Sequence, residues 1–176
     1  MEFTVRSKRL PCLRFSLAIV ILASCIGCDQ ATKTIATNSL MGIPPHSFLA
    51  DTVRLDYALN SGGFLSLGDD LPIQYRKWIF IGFNSCLMLG LTAFLLVKRE
   101  LPIAIFVALS YILAGGVGNL IDRVTNNGLV IDFINLGFGP LRTGVFNVAD
   151  IAVTFGAIAL GYFSLKGKDD DLLRIR

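Results

Sequence analysis

Two aspartates share one local setting, because each follows an asparagine by three residues. The pairs are Asn119 with Asp122 and Asn147 with Asp150. On a helix, residues three apart lie on one face, so each amide could orient the carboxylate that follows it. A third carboxylate, Asp132, lies within the otherwise apolar pentapeptide Val-Ile-Asp-Phe-Ile. Carboxylates in such apolar surroundings are costly, which makes these three candidates for chemistry.

The chemistry that such carboxylates favour is proton transfer to and from water. Low dielectric raises the pKa of a carboxyl group, and two carboxyls in one site push their titrations apart. One can then deprotonate water while its protonated partner polarises a peptide carbonyl, as in an aspartic protease. Arg123 adjoins Asp122 and is expected to pair with it, whereas Asp132 and Asp150 have no cation nearby in the sequence. We therefore predict Asp132 and Asp150 as the dyad, although any one aspartate could instead cap a helix or pair with Arg123, Arg142 or Lys33.

The segments that carry these residues are unusually apolar. The chain has 176 residues, of which 53% are hydrophobic and 16% charged, and its mean hydropathy is +0.65. Soluble domains carry about 25% charged residues, so this composition predicts a single integral-membrane domain over residues 1–176. The net charge of +3 is too small and dispersed to indicate nucleic-acid binding. The single histidine, His46, leaves little scope for histidine-based metal sites or catalysis.

Four stretches are predicted to cross a bilayer, which takes about 20 helical residues. Three are long enough directly, over residues 78–97, 101–121 and, if Asp150 is tolerated, 146–165. The apolar run over residues 15–28 has the length of a signal peptide's core, but its helical pattern continues to Ile35, which gives a first span over about 13–35. The predicted fold class is a membrane all-α protein, a bundle of four transmembrane helices.

The distribution of Lys and Arg predicts the orientation of this bundle. Ten of the 16 basic residues fall on the side of the two termini, and cytoplasmic loops are the ones enriched in Lys and Arg. Both termini are therefore expected in the cytoplasm. The six on the other, extracytoplasmic side are Lys33, Arg54, Arg76, Lys77, Arg123 and Arg142.

The long connection over about residues 38–75 is predicted to form a small extracytoplasmic β element on the membrane surface. Residues 53–60 alternate apolar and mostly polar side chains, as a half-buried strand does, and Ser61-Gly62-Gly63 has turn composition. The apolar segment over residues 64–67 follows and could cover a site from water. An ordinary structured loop is the alternative.

The four cysteines are predicted to be buried small hydrophobic residues, because they lie in or beside apolar runs. The Cys-x-x-C pattern at residues 25–28 has no second pair or neighbouring histidine, so no metal or redox role is expected. The cysteines are Cys12, Cys25, Cys28 and Cys86.

Five blocks of sequence, in this order, closely resemble the lipoprotein signal peptidases, also called signal peptidase II. The blocks are Asp29-Gln30-Ala31-Thr32-Lys33, Asn60-Ser61-Gly62-Gly63-Phe64, Gly118-Asn119-Leu120-Ile121-Asp122-Arg123, Val130-Ile131-Asp132-Phe133 and Phe146-Asn147-Val148-Ala149-Asp150. The resemblance implies the same dyad, Asp132 and Asp150. It also implies supporting or substrate-contacting roles for Asp29, Lys33, Asn60, Gly62, Asn119, Asp122, Arg123 and Asn147. Phe64 is added as a supporting residue because its apolar segment could cover the site and the lipid of the substrate. The second block is one residue tighter than the family pattern, which leaves Gly62 and Gly63 as alternatives.

The resemblance implies a multi-pass peptidase of the bacterial inner membrane with its active site on the extracytoplasmic side. Such an enzyme removes the signal peptide of diacylglyceryl-modified prolipoproteins by cutting N-terminal to the lipidated cysteine. The resemblance also implies that it needs no metal or organic cofactor. We expect this chain to work beside membrane lipid as a monomer, without nucleic acid.

Three alternatives remain open. They are a non-catalytic membrane scaffold or small channel, a metal-dependent membrane phospholipid transferase, and a chain that is itself a lipoprotein or secreted protein. The last rests on the box-like sequence Leu22-Ala23-Ser24-Cys25 after a basic arm.

Overall fold

The computed structural model describes residues 9–62, 72–98 and 100–174, and within these ranges it leaves out the side chains of residues 9–12, 73, 76 and 167–174. Four helices in the described ranges are long and apolar enough to cross a membrane, as predicted. They are α1 (Arg9–Leu40), the second span (Trp78–Val97), α4 (Ile103–Thr125) and α5 (Val148–Arg174). The second span consists of a π-helical segment, Trp78–Phe83, followed by α3 (Asn84–Val97), and the short helix α2 (Ile73–Lys77) precedes it.

The helix ends differ from the predicted ends for local reasons. Helix α1 is continuous to Leu40, five residues beyond the predicted end at residue 35, because its polar residues after Cys28 face partners inside the protein. Helix α4 begins after Pro102, whose extended backbone precedes the first helical turn, and α5 begins after Asn147.

A small antiparallel sheet joins the helix ends, in the order β1 (His46–Phe48), β2 (Val53–Asn60), β3 (Val130–Phe138) and β4 (Leu141–Arg142). The strand predicted from alternation over residues 53–60 is β2, and this prediction is confirmed. The sequence pattern did not predict β3, because its first half is apolar at nearly every position and so lacks a strand's alternation. Asp132 pairs with Ala58 in the register of β2 and β3.

Helix α4 lies at the centre of the bundle, and α1, α3 and α5 all pack against it. The α4–α5 contact is close because glycines remove side chains from it. A Cβ built on Gly115 would lie 2.3 Å from the carbonyl oxygen of Ala149, and one built on Gly156 would lie 2.6 Å from that of Ala108. This close approach brings the C-terminal end of α4 to the N-terminal end of α5.

An apolar cluster attaches the sheet to α1. Ala36 and Leu40 of α1 are buried with Phe133 of β3, and partly buried side chains of β2 pack against them. The sheet is therefore held against the same helix ends that carry the candidate residues.

The predicted burial of the cysteines is wrong for two of them. Cys28 and Cys86 are exposed on the helix surfaces and Cys25 is partly buried, while the side chain of Cys12 lies outside the description. An apolar helix surface in a bilayer contacts lipid, so a small apolar side chain does not have to be inside the protein. Phe64 and the apolar segment to residue 67 also lie outside the described residues.

Candidate active site

The described candidate residues meet at one end of the helical bundle. Ten of the eleven predicted site residues lie where the C-terminal half of α1, the end of α4, the start of α5 and strands β2 and β3 come together; Phe64 lies outside the description. Hydrogen bonds between two side chains link these elements over separations of 15 to 92 residues. The ten are Asp29, Lys33, Asn60, Gly62, Asn119, Asp122, Arg123, Asp132, Asn147 and Asp150.

Asp132 is buried in β3 and is held by two side-chain amides. The Nδ2 of Asn60 donates to its Oδ2 at 3.0 Å, and the Nδ2 of Asn147 donates to its Oδ1 at 2.6 Å. Burial raises the pKa of Asp132 to about 6, and the charge of Asp150 raises it as well, while the two amides and Lys33 oppose the rise. This carboxyl group can therefore exchange a proton near neutral pH.

Asp150 is the third residue of α5 and takes part in its N-terminal cap. The backbone N–H of Asp150 donates to the Oδ1 of Asn147 at 3.0 Å, and the backbone N–H of Asn147 donates back to the Oδ2 of Asp150 at 3.2 Å. This reciprocal pair is a capping box. The capping interpretation therefore holds for Asp150. Its other oxygen, Oδ1, accepts from the Nδ2 of Asn119 at 2.9 Å.

Each asparagine reaches across to an aspartate on another element. Asn119 was expected to orient Asp122, but its amide donates to Asp150 on α5. The side-chain NH2 group of Asn147 donates to Asp132, whereas the carboxylate of Asp150 receives a hydrogen bond from the backbone N–H of Asn147. Asn147 thus touches both aspartates, and its Nδ2 also lies 3.0 Å from the Oδ1 of Asn119.

A buried ionic cluster lies beside these amides. The ammonium group of Lys33 is 2.8 Å from Asp29 and 3.0 Å from Asp122, and all three side chains are at most 2% exposed. The predicted pairing of Asp122 with Arg123 is wrong, because the cation that contacts Asp122 is Lys33. Adjacent residues of a helix point in different directions, whereas Lys33 approaches from the neighbouring helix.

The two carboxylates of this cluster also hold backbone N–H groups. Asp29 accepts from the N–H of Ala149 in the first turn of α5 at 2.9 Å, and Asp122 accepts from the N–H of Ile131 in β3 at 3.0 Å. Each therefore ties down the residue directly before one of the candidate catalytic aspartates.

Arg123 connects α4 to the turn that follows β2. One guanidinium nitrogen donates to the carbonyl oxygen of Gly62 at 2.8 Å and another to that of Asn119 at 3.2 Å. The N–H of Gly62 donates to the Oδ1 of Asn60 at 3.0 Å. Gly62 is thus engaged through both of its backbone groups, while Gly63 lies outside the description. The guanidinium also lies over the ring of Phe80, 5.5 Å from its centre.

Sequence reasoning missed several contributors to the site. Gln30 donates to Asp122 at 2.9 Å and to Asp29 at 3.1 Å. It was not predicted as a site residue, although it lies between Asp29 and Lys33 in the sequence. Its position one residue after Asp29 was the available signal. The backbone donors of Ile131 and Ala149 and the ring of Phe80 carry no mark in the sequence.

The arrangement suits two neighbouring carboxyl groups that can each change protonation state. All four oxygens of Asp132 and Asp150 accept from amide nitrogens, three from side chains and one from the backbone. Neutral donors hold the carboxyl groups in place and leave protonation adjustable. Among the described residues, no three His, Cys, Asp or Glu side chains form a group that could hold a metal ion.

Comparisons with known proteins match most of the chain. The family model described as signal peptidase (SPase) II matches residues 21–166. A lipoprotein signal peptidase of Caldanaerobacter subterraneus is 35% identical over 149 residues, which cover 85% of this chain and 96% of the relative. One of Sphingopyxis alaskensis is 35% identical over 156 residues, covering 88% and 87%. A solved structure described as a bacterial membrane enzyme superposes with a TM-score of 0.73 at 25% identity, covering 87% of this chain and 90% of its own.

Proposed function

Because this chain belongs to the signal peptidase II family of membrane aspartic peptidases, we propose that it removes signal peptides from prolipoproteins with Asp132 and Asp150 as the catalytic dyad. One observation carries the assignment of the dyad. Asn147 contacts both carboxyl groups, Asp132 at 2.6 Å through its side chain and Asp150 at 3.2 Å through its backbone N–H. Two aspartates from separate elements are thus held at one point of the site.

The proposed reaction is the addition of water to the scissile peptide carbonyl. One dyad carboxylate takes a proton from water as the oxygen attacks, and the protonated partner donates a hydrogen bond to the carbonyl oxygen. When the carbon–nitrogen bond breaks, the leaving nitrogen receives a proton from the dyad. The pKa of Asp132, about 6, supports a proton that moves readily within this pair.

We propose that the substrate is cut N-terminal to a diacylglyceryl-modified cysteine. The site lies at the ends of membrane-spanning helices, so a cysteine anchored by two acyl chains would sit at the same depth. The leaving group is then the amino group of that cysteine.

The remaining parts of the proposal concern the setting of the enzyme. The chain is a single integral-membrane domain of the bacterial inner membrane and works as a monomer beside lipid, without nucleic acid. Its termini lie in the cytoplasm and its site on the extracytoplasmic side, since Lys and Arg are enriched on the side of the termini.

Incubation of the purified full chain with a diacylglyceryl-modified prolipoprotein tests this function. Mass spectrometry should detect the released signal peptide and a product that begins with the lipidated cysteine. The same precursor without the lipid is the matched control and should be cut far more slowly. Absence of release from the lipidated precursor would contradict the proposal.

Two further measurements address the alternatives. Cleavage that persists in a chelator would exclude the metal-dependent transferase, and a scaffold or channel would cleave nothing. For orientation, Pro45→Cys and Lys98→Cys place single thiols at exposed positions near opposite helix ends in a chain without its native cysteines. A membrane-impermeant thiol reagent added outside should label Pro45→Cys alone, and the reverse result would contradict the proposed orientation.

A further inference from the structure

The amide of Asn119 must be oriented one way to serve Asp150. Its Nδ2 donates to the Oδ1 of Asp150 at 2.9 Å, while its Oδ1 accepts from the ammonium group of Lys33 and from the Nδ2 of Asn147, each at 3.0 Å. The two ends of a carboxamide have nearly the same shape, so hydrogen-bond partners alone decide which end faces the aspartate. A reversed amide would set oxygen against oxygen and would remove a donor from Asp150.

Lys33 is a strong determinant of that orientation. An ammonium group has three N–H donors and accepts nothing. The three partners of Lys33 are Asp29 at 2.8 Å, Asp122 at 3.0 Å and the Oδ1 of Asn119 at 3.0 Å. Two carboxylates therefore hold the ammonium group in place, and its third donor is directed at the amide oxygen of Asn119.

We propose that Lys33 is a positioning residue for catalysis, which locks the amide of Asn119 with its NH2 group toward Asp150. The proposal rests on the proposed function, since it assigns a role toward the catalytic dyad. A hydrogen bond from a cation polarises the amide, and polarised hydrogen bonds in a chain strengthen one another. Lys33 thereby strengthens the hydrogen bond that Asn119 donates to Asp150, and it does so without touching the substrate.

The Asp132 side of the site has an equivalent lock with an uncharged donor. There the amide of Asn60 donates to Asp132 at 3.0 Å, and its Oδ1 is held by the backbone N–H of Gly62 at 3.0 Å. Each dyad aspartate thus receives an asparagine NH2 group whose oxygen end is held by a separate donor. The repetition on two unrelated elements supports orientation as the purpose of both contacts.

Lys33 also carries a charge that the dyad experiences, so charge and positioning must be separated. The charged groups near Asp132 are Asp150 from α5, Lys33 from α1 and Arg123 from α4. Lys33→Met removes the charged donor to the Asn119 oxygen together with one positive charge, and leaves the neutral donor, the Nδ2 of Asn147, in place. Lys33→Met with Asp122→Asn removes one positive and one negative charge, so the net charge of the cluster with Asp29 stays the same while the charged donor to the Asn119 oxygen is lost.

The test measures kcat, KM and the pH dependence of kcat/KM for cleavage of a lipidated precursor peptide, together with thermal stability in detergent. For Lys33→Met we expect kcat to fall about 10- to 100-fold, with KM changed less than about threefold and the pH profile moved to higher pH. For the charge-balanced double variant we expect the pH profile of the parent but an equally low kcat. Asp122→Asn alone is the reference for the double variant. Lys98→Met replaces an exposed lysine and should have the kcat and pH profile of the parent.

A second readout asks whether Lys33 acts through Asn119. If it does, adding Asn119→Ala to the charge-balanced double variant should lower kcat little further, although Asn119→Ala alone lowers it strongly. Recovery of parental kcat in the double variant, or full additivity with Asn119→Ala, would overturn the proposal and leave Lys33 a charge or fold element. If Lys33→Met does not fold, the double variant carries the test. A parent that releases no signal peptide would contradict the proposed function instead.

Discussion

Two polar clusters in this molecule have the same arrangement with opposite charges: in each, one charged side chain lies between two side chains of the other sign. At the end of the bundle, one lysine lies between two carboxylates, Lys33 between Asp29 and Asp122. On the sheet, one carboxylate lies between two arginines, Asp51 between Arg54 and Arg142.

The two clusters differ mainly in their access to solvent. The side chains of the first are at most 2% exposed, whereas Asp51 and Arg54 on the sheet are 39% and 37% exposed. Water can replace lost partners at Asp51 and Arg54, so a single removal there costs little, although Arg142 is only 13% exposed. A buried charge without its partner is costly, and Lys33 of the first cluster also donates to the amide oxygen of Asn119. The difference teaches that location, more than contact number or distance, sets the importance of an ion pair.

The largest expected effect is on catalysis. It is tested by replacing the two aspartates beside the buried cluster and, for comparison, the aspartate of the exposed cluster. Asp132→Asn and Asp150→Asn should each lower kcat/KM by at least about 10³-fold, because an amide cannot take up or release the shared proton. The double variant should lose little more than either single variant. Asp51→Asn is the matched control and should keep its activity within about twofold. Steady-state cleavage of a lipidated precursor provides the measurement, and substantial turnover by either dyad variant would contradict the assignment.

The second prediction compares the stability of the two clusters. Asp122→Ala should lower the free energy of unfolding by about 3–5 kcal/mol, because it leaves Lys33 with one carboxylate and the Ile131 N–H without its acceptor. Asp51→Ala should change the unfolding transition little, since water reaches Arg54 and since Arg142 keeps its hydrogen bonds to the Oδ1 of Asn135 and to the backbone carbonyl of residue 51. Denaturation in mixed detergent micelles measures both. Equal destabilisation by the two variants would remove burial as the explanation.

The third prediction concerns pH, and the two regions should respond in opposite directions. Burial raises the pKa of Asp132 from 3.8 to about 6, so the folded chain binds this proton more tightly than the unfolded chain. The resulting stabilisation is complete below about pH 3.8 and is lost as pH rises through about 6. Asp132→Asn should therefore gain stability relative to the parent over this window, by at most about 3 kcal/mol.

At Asp51 the sign is reversed. Hydrogen bonds from Arg54 and Ser47 lower the pKa of this carboxyl group, so its small stabilising contribution is present at neutral pH and is lost on acidification. Asp51→Asn should therefore lose stability relative to the parent at neutral pH and regain it in acid. Unfolding curves of the parent and both variants from pH 2 to pH 8 test the two signs, because the Asp51 contribution changes only below the ordinary aspartate pKa of about 3.8. The same slope in both variants would refute the contrast.

The smallest expected effect concerns the glycines that bring α4 and α5 together. Gly115→Ala should destabilise the chain by about 1–3 kcal/mol and lower activity, because the new Cβ would lie 2.3 Å from the carbonyl oxygen of Ala149, next to Asp150. Gly90→Ala on α3 is the control, because a Cβ there meets nothing within 4 Å. Thermal unfolding and cleavage rates of the pair give the comparison. A harmless Gly115→Ala would show that the helices can separate without loss.

Much of the fold followed from local pattern. Apolar length predicted the four helices, and alternation predicted β2 over Val53–Asn60. Strand β3 was not predicted, because a strand packed on both faces is apolar at successive positions and does not alternate apolar with polar residues. Helix ends set by a cap, such as Asn147 before α5, shifted by a few residues from the apolar boundary.

For the site, the sequence by itself determined which residue types stand in apolar surroundings, and so the candidates Asp122, Asp132 and Asp150. Only the tertiary structure decided which side chains are hydrogen-bond or ion-pair partners. Asn119 serves Asp150 across 31 residues of chain, and Lys33 rather than Arg123 contacts Asp122. The physical reason is that a carboxylate's partner is decided by direction and distance in space. Backbone N–H donors such as those of Gly62, Ile131 and Ala149 become specific only when folding aims them at an oxygen atom.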